Sequence, residues 1–371
     1  MKSTKILTIF GTRPEVIKLA PVIQELDGHS DSMRAINVAS SQHTDLLYPF
    51  IRHFKIRVDY DLNIMEPSQT AARVCSRVLS RLEPILMHEN PDLILVQGDT
   101  STAVAGALAG FYRQIPVGHV EAGLRSGNAK SPYPEEMNRR LITRLADYHF
   151  AATSRNRASL LAEGINQENI FVTGNPVVDA LHSLLEQSRT KPPVLFSSSD
   201  GLKRIILTAH RRESFGQSMD ANLRVLRRFV DSHSDVALIF PVHPNPLVVR
   251  AADSILSGHP RIHLIQPLDY ENFIVLLSSA WLIISDSGGV QEEAPSLGKP
   301  LFVLRENTER PEALESGVAR LVGGKAERLA TMLEEIYDDE SWLLQVQRTE
   351  NPFGRGDSGK RIVQAIARLL N

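Results

Sequence analysis

Several short segments of this chain set acids, bases and glycines directly after apolar runs, where side chains and backbone amides can meet a ligand. The run Leu282–Ser285 leads into Asp286-Ser287-Gly288-Gly289-Val290-Gln291-Glu292-Glu293-Ala294-Pro295. Ser287, Gly288 and Gly289 carry little side-chain bulk, so backbone N–H groups at the helix start can approach a diphosphate. Glu293, about one turn in, is spaced to accept both hydroxyls of a ribose. The plainer alternative is a glycine-rich turn followed by an acidic first helical turn. Arg310, in Asn307-Thr308-Glu309-Arg310-Pro311-Glu312 after the next run, is placed to steady the same anion.

A second group is acidic. Asp99 lies in Gln97-Gly98-Asp99-Thr100-Ser101, after the run Leu93–Val96. It stands either at the mouth of a sheet or as the N-cap of the helix that begins at Ser101, and the residues leave both readings open. Glu121 follows Val117–Val120, and Glu135 opens a helix after Ser131-Pro132-Tyr133-Pro134. If the three carboxylates converge on one cleft, repulsion raises their proton affinities and suits them to general acid/base chemistry. Alternatively, Glu135 and Glu136 complement a helix dipole, and Glu136 with Arg140 makes a surface pair.

The third group is basic. Gly11-Thr12-Arg13-Pro14-Glu15-Val16-Ile17-Lys18 follows the first run, Ile6–Phe10. Gly11 permits a tight turn and Pro14 suits a first helical turn. Arg13 and Lys18 near a helix N-terminus are locally unfavourable, which points to an anion site; a solvated basic turn is the alternative. The segment is not GxGxxG, so a dinucleotide has weak support. His210 follows Ile205–Thr208 and precedes Arg211-Arg212; it titrates near neutrality and can hold a phosphate as a cation. His243, in Pro241-Val242-His243-Pro244-Asn245-Pro246, sits in a proline-shaped loop and is the weaker chemical candidate.

These segments need strands to deliver them. The first set of apolar runs is Ile6–Phe10, Ala35–Ala39, Leu93–Val96, Val117–Val120, His149–Ala152 and Ile170–Thr173. The second is Ile205–Thr208, Ala237–Val242, Ile262–Ile265, Leu282–Ser285, Leu301–Leu304 and Ala319–Val322. Short apolar runs alternating with amphipathic helix-length stretches predict α/β units with buried parallel sheets. Ligands of such sheets lie beyond the carboxyl ends of the strands, where the motifs stand. The polar stretch 183–201 reads as the connection between a first domain, 1–182, and a second, 202–354. The segment 355–371 is expected to form a helix that returns to the first domain, by analogy with two-domain nucleotide-sugar folds.

The 371 residues suit two such domains, with 42% hydrophobic and 23% charged residues. The formal net charge is −2, so no global field favours nucleic acid or an anionic membrane. No apolar stretch reaches the length of a membrane span, and the start lacks the pattern of a signal peptide. The single cysteine, Cys75, sits in a helical pattern as a small buried hydrophobe, and a chain with one thiol fits the reducing cytoplasm. No cysteine pair or histidine cluster suggests a metal.

Taken in register, Gly11 to Glu15, Gly98 to Thr100, His119 to Arg125, Pro134 to Arg139, His210 to Glu213, Ser285 to Pro295 and Thr308 to Pro311 resemble the non-hydrolysing UDP-N-acetylglucosamine 2-epimerases. The resemblance implies two Rossmann-like domains with parallel sheets facing across a cleft, as in B-type glycosyltransferases. It matches Asp99, Glu121 and Glu135 to the family's acid/base carboxylates and His210 to its active-site histidine. Arg13, Lys18, Arg139, Ser287, Gly288, Gly289, Glu293 and Arg310 match substrate-binding positions. Leu268 and Phe273, in Leu268-Asp269-Tyr270-Glu271-Asn272-Phe273, match the uracil-facing loop. Gln42, His43, Gln69, Arg211 and His243 fit an allosteric nucleotide-sugar site, whereas Asp45 and Ser68 depart from its pattern.

The chemistry implied is elimination of UDP to a glycal and re-addition with the C2 proton on the other face. No metal or redox cofactor is implied, and a UDP-sugar substrate and a homodimer are. The C2 proton is barely acidic, so it needs a base, cations on the leaving diphosphate and a site closed to water. A hydrolysing epimerase, an epimerase of a modified UDP-sugar and a glycosyltransferase of the same fold are the competing readings.

Overall fold

In this computed structural model, residues 3–41, 44–66, 69–188, 199, 201–209 and 216–370 are described. Of the expected residues, Gln42, His43, Ser68, His210 and Arg211 lie outside them, as does most of the stretch 183–201. The chain divides into two compact units, Met1–Ala180 with Phe353–Asn371, and Leu181–Pro352.

Each apolar run forms a strand, because a run with both faces apolar is satisfied only inside a covered sheet. The first unit holds β1 (Thr4–Phe10), β2 (Met33–Ala39), β3 (Tyr60–Asp61), β4 (Leu93–Gln97), β5 (Val117–Ala122), β6 (Tyr148–Ala151) and β7 (Ile170–Val172). Their order is β3-β2-β1-β4-β5-β6-β7, and every pairing is parallel. Only β3 has no counterpart among the apolar runs. It is two residues long and joins the edge through Val38–Tyr60 and Ala39–Asp61. Ile6, Leu7, Ile9 and Phe10 on β1 have no exposed surface. The two polar side chains that share this interior satisfy each other, Thr8 Oγ1 donating to Asn37 Oδ1 at 2.8 Å.

The second unit holds β8 (Lys203–Thr208), β9 (Val236–Pro241), β10 (Ile262–Ile265), β11 (Leu282–Ser285), β12 (Leu301–Val303) and β13 (Ala319–Leu321). Their order is β10-β9-β8-β11-β12-β13, again all parallel. Both sheets are of the Rossmann type. In each, the order reverses at one point, between β1 and β4 in the first unit and between β8 and β11 in the second. Ligands of open parallel sheets bind at such points, outside the carboxyl ends of the strands.

Within the first unit the closing helix Ser358–Leu370 packs on the helix Arg13–Gly28 that follows β1. Asp179 caps it by accepting from Gly359 N at 2.8 Å. This fastens the chain's last helix against the helix that carries Arg13 and Lys18.

Candidate active site

In the first unit the loops after β1, β4 and β5 bring the carboxylates and cations together. Glu121 sits in β5 where the pairing with β6 slips, between Val120 and Ala122, and its φ is 65°. A bulge of this kind re-aims one side chain, and a non-glycine residue in the left-handed region is held there only by its surroundings. Those surroundings are visible. Oε1 of Glu121 accepts from Lys18 Nζ and from Asn175 Nδ2 at 3.0 Å, and Oε2 accepts from Gln97 Nε2 at 2.6 Å. Gly98, at φ 68°, turns the chain beside it; a Cβ there would lie 3.5 Å from Glu121 Oε2.

The next loop settles the alternative left open for Asp99. Thr100 caps the helix Ser101–Tyr112, its Oγ1 accepting from Ala103 N at 3.0 Å. Asp99 is therefore left to pair with Arg139, 2.6 Å from Nη2 to Oδ2. Its carbonyl accepts from Asn138 Nδ2 at 2.7 Å. Burial pushes the Asp99 carboxyl above its ordinary value, Arg139 opposes that, and Glu121 and Glu135 add repulsion.

Glu135 begins the helix Glu135–Leu145, as expected, and its Oε2 is buried without a hydrogen-bond partner among the described residues. The neighbouring Glu136 differs from the surface pair expected of it. It does meet Arg140, at 3.1 Å, but is itself fully buried and also holds Arg139 and the amide of Ser126. The reason is geometric: Glu136 faces the core side of its helix, where a carboxylate needs several donors. His119, wholly buried, bonds Gly98 O at 2.8 Å through Nε2, and burial lowers its pKa to about 3. It is a neutral prop for the Gly98 turn.

Arg13 and Lys18 part company. Arg13 is exposed, its guanidinium 5.8 Å from the Phe50 ring centroid, whereas Lys18 is buried on Glu121. Glu15, two residues on from Arg13, is fully buried and fixes both the β1 and β4 loops. Its Oε2 accepts from Gly11 N at 2.9 Å, Thr12 N at 2.8 Å and Thr12 Oγ1 at 2.8 Å. Its Oε1 accepts from Thr100 Oγ1 at 2.6 Å. Burial raises its pKa from 4.5 to about 7.

In the second unit Ser287 stands at the N-cap position of the helix Gly288–Leu297 in an extended conformation. Its amide donates to Ser285 Oγ at 2.9 Å, and Ser285 Oγ lies 2.6 Å from Thr208 Oγ1, which ties the ends of β8 and β11 together. Arg310 lies directly against Gly288, where a Cβ would collide with Nη1. The guanidinium is held by Glu292 at 2.6 Å and Glu309 at 2.7 Å. Glu293 is buried and accepts from Tyr270 Oη at 2.8 Å. Tyr270 starts the helix Tyr270–Ser278, capped by Asp269, and the half-buried Leu268 and Phe273 flank that cap. His243 is exposed beyond β9, and Gln69 lies near Glu66 in the first unit, its Oε1 accepting from Glu66 N at 3.4 Å. Among the described residues no cluster of three metal-binding side chains occurs, and no helix is long and apolar enough to cross a membrane.

This arrangement has close relatives. The model of the UDP-N-acetylglucosamine 2-epimerase family matches residues 24–367. The chain belongs to the UDP-N-acetylglucosamine 2-epimerase family. The chain is thus an isomerase. It is 44% identical to the UDP-N-acetylglucosamine 2-epimerase of Salmonella typhimurium, over 98% of each chain. The UDP-GlcNAc 2-epimerase of Neisseria meningitidis, solved bound to UDP-GlcNAc, superposes with a TM-score of 0.91 at 40% identity, covering 98% of this chain and all of that one. A glycosyltransferase of kitacinnamycin shares the fold alone, at 11% identity and a TM-score of 0.69 over the full length of both chains.

Three residues at this epimerase's site were not singled out from sequence. Glu15 had a signal, since Thr12 and Glu15 have the spacing of a capping box, and the box forms. Gln97 stands in a quoted motif but shows its purpose only once Glu121 turns toward it. Asn175 carried no signal, because it approaches Glu121 from 54 positions away.

Proposed function

We propose that this chain interconverts UDP-N-acetylglucosamine and UDP-N-acetylmannosamine by eliminating UDP to a glycal and adding it back. The observation that carries the reading is the cluster of Asp99, Glu121, Lys18 and Arg139 at the strand ends of the first unit. Elimination takes the proton from C2 while the C1–O bond to UDP breaks; re-addition reverses both events with the proton delivered to the opposite face. Glu121 has its carboxylate fixed in place by Lys18, Asn175 and Gln97 on its oxygens. Glu135 offers a buried oxygen with an open acceptor site, and Asp99 is disposed by burial to hold a proton. The second unit's part is the grip on UDP: the amides of the Ser287–Gly289 turn for the diphosphate, Glu293 for the ribose, Leu268 and Phe273 for the uracil. His210 and Arg13 are assigned to the leaving diphosphate.

The test is NMR of UDP-N-acetylglucosamine incubated with the protein in D2O. UDP-N-acetylmannosamine labelled at C2 is the expected product. Epimer without deuterium at C2 would remove proton abstraction from the mechanism, and release of UDP with free N-acetylmannosamine would mark a hydrolysing enzyme.

The enzyme is further assigned to the cytoplasm as a homodimer. The helix Ser101–Tyr112 carries no charged residue and exposes Phe111 and Tyr112. The helices packed beside it expose Met87 on one and Met137 and Leu141 on the other, a face suited to burial against a second copy. Sedimentation should give twice the chain mass, and Phe111→Asp should halve it.

A further inference from the structure

We propose that Glu15 is a positioning residue that fixes Asp99 by tying the loop after β1 to the loop after β4. The inference rests on the epimerase reading and adds to it a residue that touches no substrate. Every atom of the tie is defined. Three donors from Gly11 and Thr12 converge on Oε2, so that oxygen has its place set by the β1 loop. The remaining oxygen, Oε1, meets Thr100 Oγ1 at 2.6 Å. Thr100 Oγ1 in turn accepts from Ala103 N at 3.0 Å and, toward the Glu15 carboxylate, donates its own proton to Oε1.

Asp99 is the residue immediately before Thr100. Its carbonyl is held by Asn138 and its carboxylate by Arg139, both from the helix Glu135–Leu145. The Glu15–Thr100 contact supplies the hold from the other side, from the helix Arg13–Gly28. Without it, the β4 loop keeps its own helix, the β5 contacts at Gly98 and the helix Glu135–Leu145, and loses this tie to the β1 loop. A reacting group displaced by about an ångström loses on the order of a hundredfold in rate.

The tie also tolerates protonation. A proton on Glu15 must sit on Oε1, because Oε2 already receives three donors, and from there it can donate a hydrogen bond to Thr100 Oγ1 once the hydroxyl turns its own hydrogen away. Glu15→Gln reproduces that state, with the amide oxygen on the β1 loop and the amide nitrogen on Thr100. Glu15→Ala and Thr100→Val each remove the tie.

The experiment compares these variants by C2 exchange and by epimer formation from UDP-N-acetylglucosamine, after circular dichroism shows each folded. Glu15→Ala and Thr100→Val should each lower kcat about tenfold or more with KM within about twofold. The double variant should be no worse than the poorer single one, since both break one contact. Thr100→Ser and Glu15→Gln should recover most of kcat. If Glu15→Ala does not fold, Thr100→Val decides. Wild-type turnover in folded Thr100→Val overturns the positioning role, as does a double variant whose losses multiply. Wild-type protein that leaves the sugar nucleotide unchanged would instead sink the epimerase reading. The positioning role is then decided by a crystal structure of Thr100→Val: Asp99 Oδ2 moved off Arg139 supports it, and Asp99 still seated on Arg139 overturns it.

Discussion

Lys18 donates its ammonium to the carboxylate of Glu121, from the helix that leaves β1 to the bulge that ends β5, and the two side chains are only 10% and 9% exposed. Sequence spacing placed Lys18 near a helix N-terminus as a partner for a ligand anion. The anion it meets is a carboxylate of the protein itself.

Removing that ammonium leaves a buried carboxylate without the cation it pairs with. Breaking a buried pair costs about 3–5 kcal/mol, and Gln97 and Asn175 keep the loss for Lys18→Met near the low end, about 3 kcal/mol. Urea unfolding of the variant beside the wild type measures it. A loss under about 1 kcal/mol would mean that Glu121 is held without the Lys18 ammonium.

Glu15 makes stability depend on pH with a definite sign. Its carboxyl passes from 4.5 in the unfolded chain to about 7 in the fold, so the folded state keeps a proton that the unfolded state has lost. Its contribution is therefore complete below about pH 4.5 and fades as the pH rises to about 7. The difference spans roughly 3 kcal/mol. Glu15→Gln has no such slope, so wild type should lose stability relative to the variant between about pH 5 and 8. Parallel unfolding curves across that range would contradict the burial of an ionisable group here.

The two adjacent glycines of the second unit should behave differently. A methyl at Gly288 runs into Arg310, which Glu292 and Glu309 lock in place, whereas at Gly289 the nearest atom is Ser287 Oγ at 3.9 Å. Gly288→Ala should lower the melting temperature by several degrees, in line with about 1–3 kcal/mol of overpacking. Gly289→Ala should leave melting unchanged and weaken UDP binding in calorimetry, because its methyl projects where the diphosphate is to lie. Unaltered UDP affinity in Gly289→Ala would take the diphosphate off this turn.

Asp99→Asn, Glu121→Gln and Glu135→Gln should each reduce C2 exchange by about a hundredfold or more, while UDP affinity changes little. Exchange at the wild-type rate in any one of them removes that carboxylate from the proton transfer.

Much of this was legible because the chain marks its strands by burial on both faces. Runs such as Ile6–Phe10 and Leu282–Ser285 have no other way to be satisfied, and the residues after them fall at the carboxyl ends of the sheets. β3 escaped because Tyr60 and Asp61 form no run and pair only with the end of β2. The purpose of Asp99 was undecidable until Thr100 took the cap, since either residue type can cap a helix. The direction of Glu121 was not legible at all. It depends on a one-residue slip against β6, and a slip leaves no trace in composition or period.

That slip has a bearing on how this protein could be altered. A glutamate in the left-handed region is disfavoured by roughly 1–2 kcal/mol, whereas glycine adopts it freely and asparagine more readily than most. Glycine or asparagine at position 121 alone would break the buried pair with Lys18, so directed evolution for heat resistance should reach either residue only together with a change at Lys18, and would then yield a hardier, chemically silent protein.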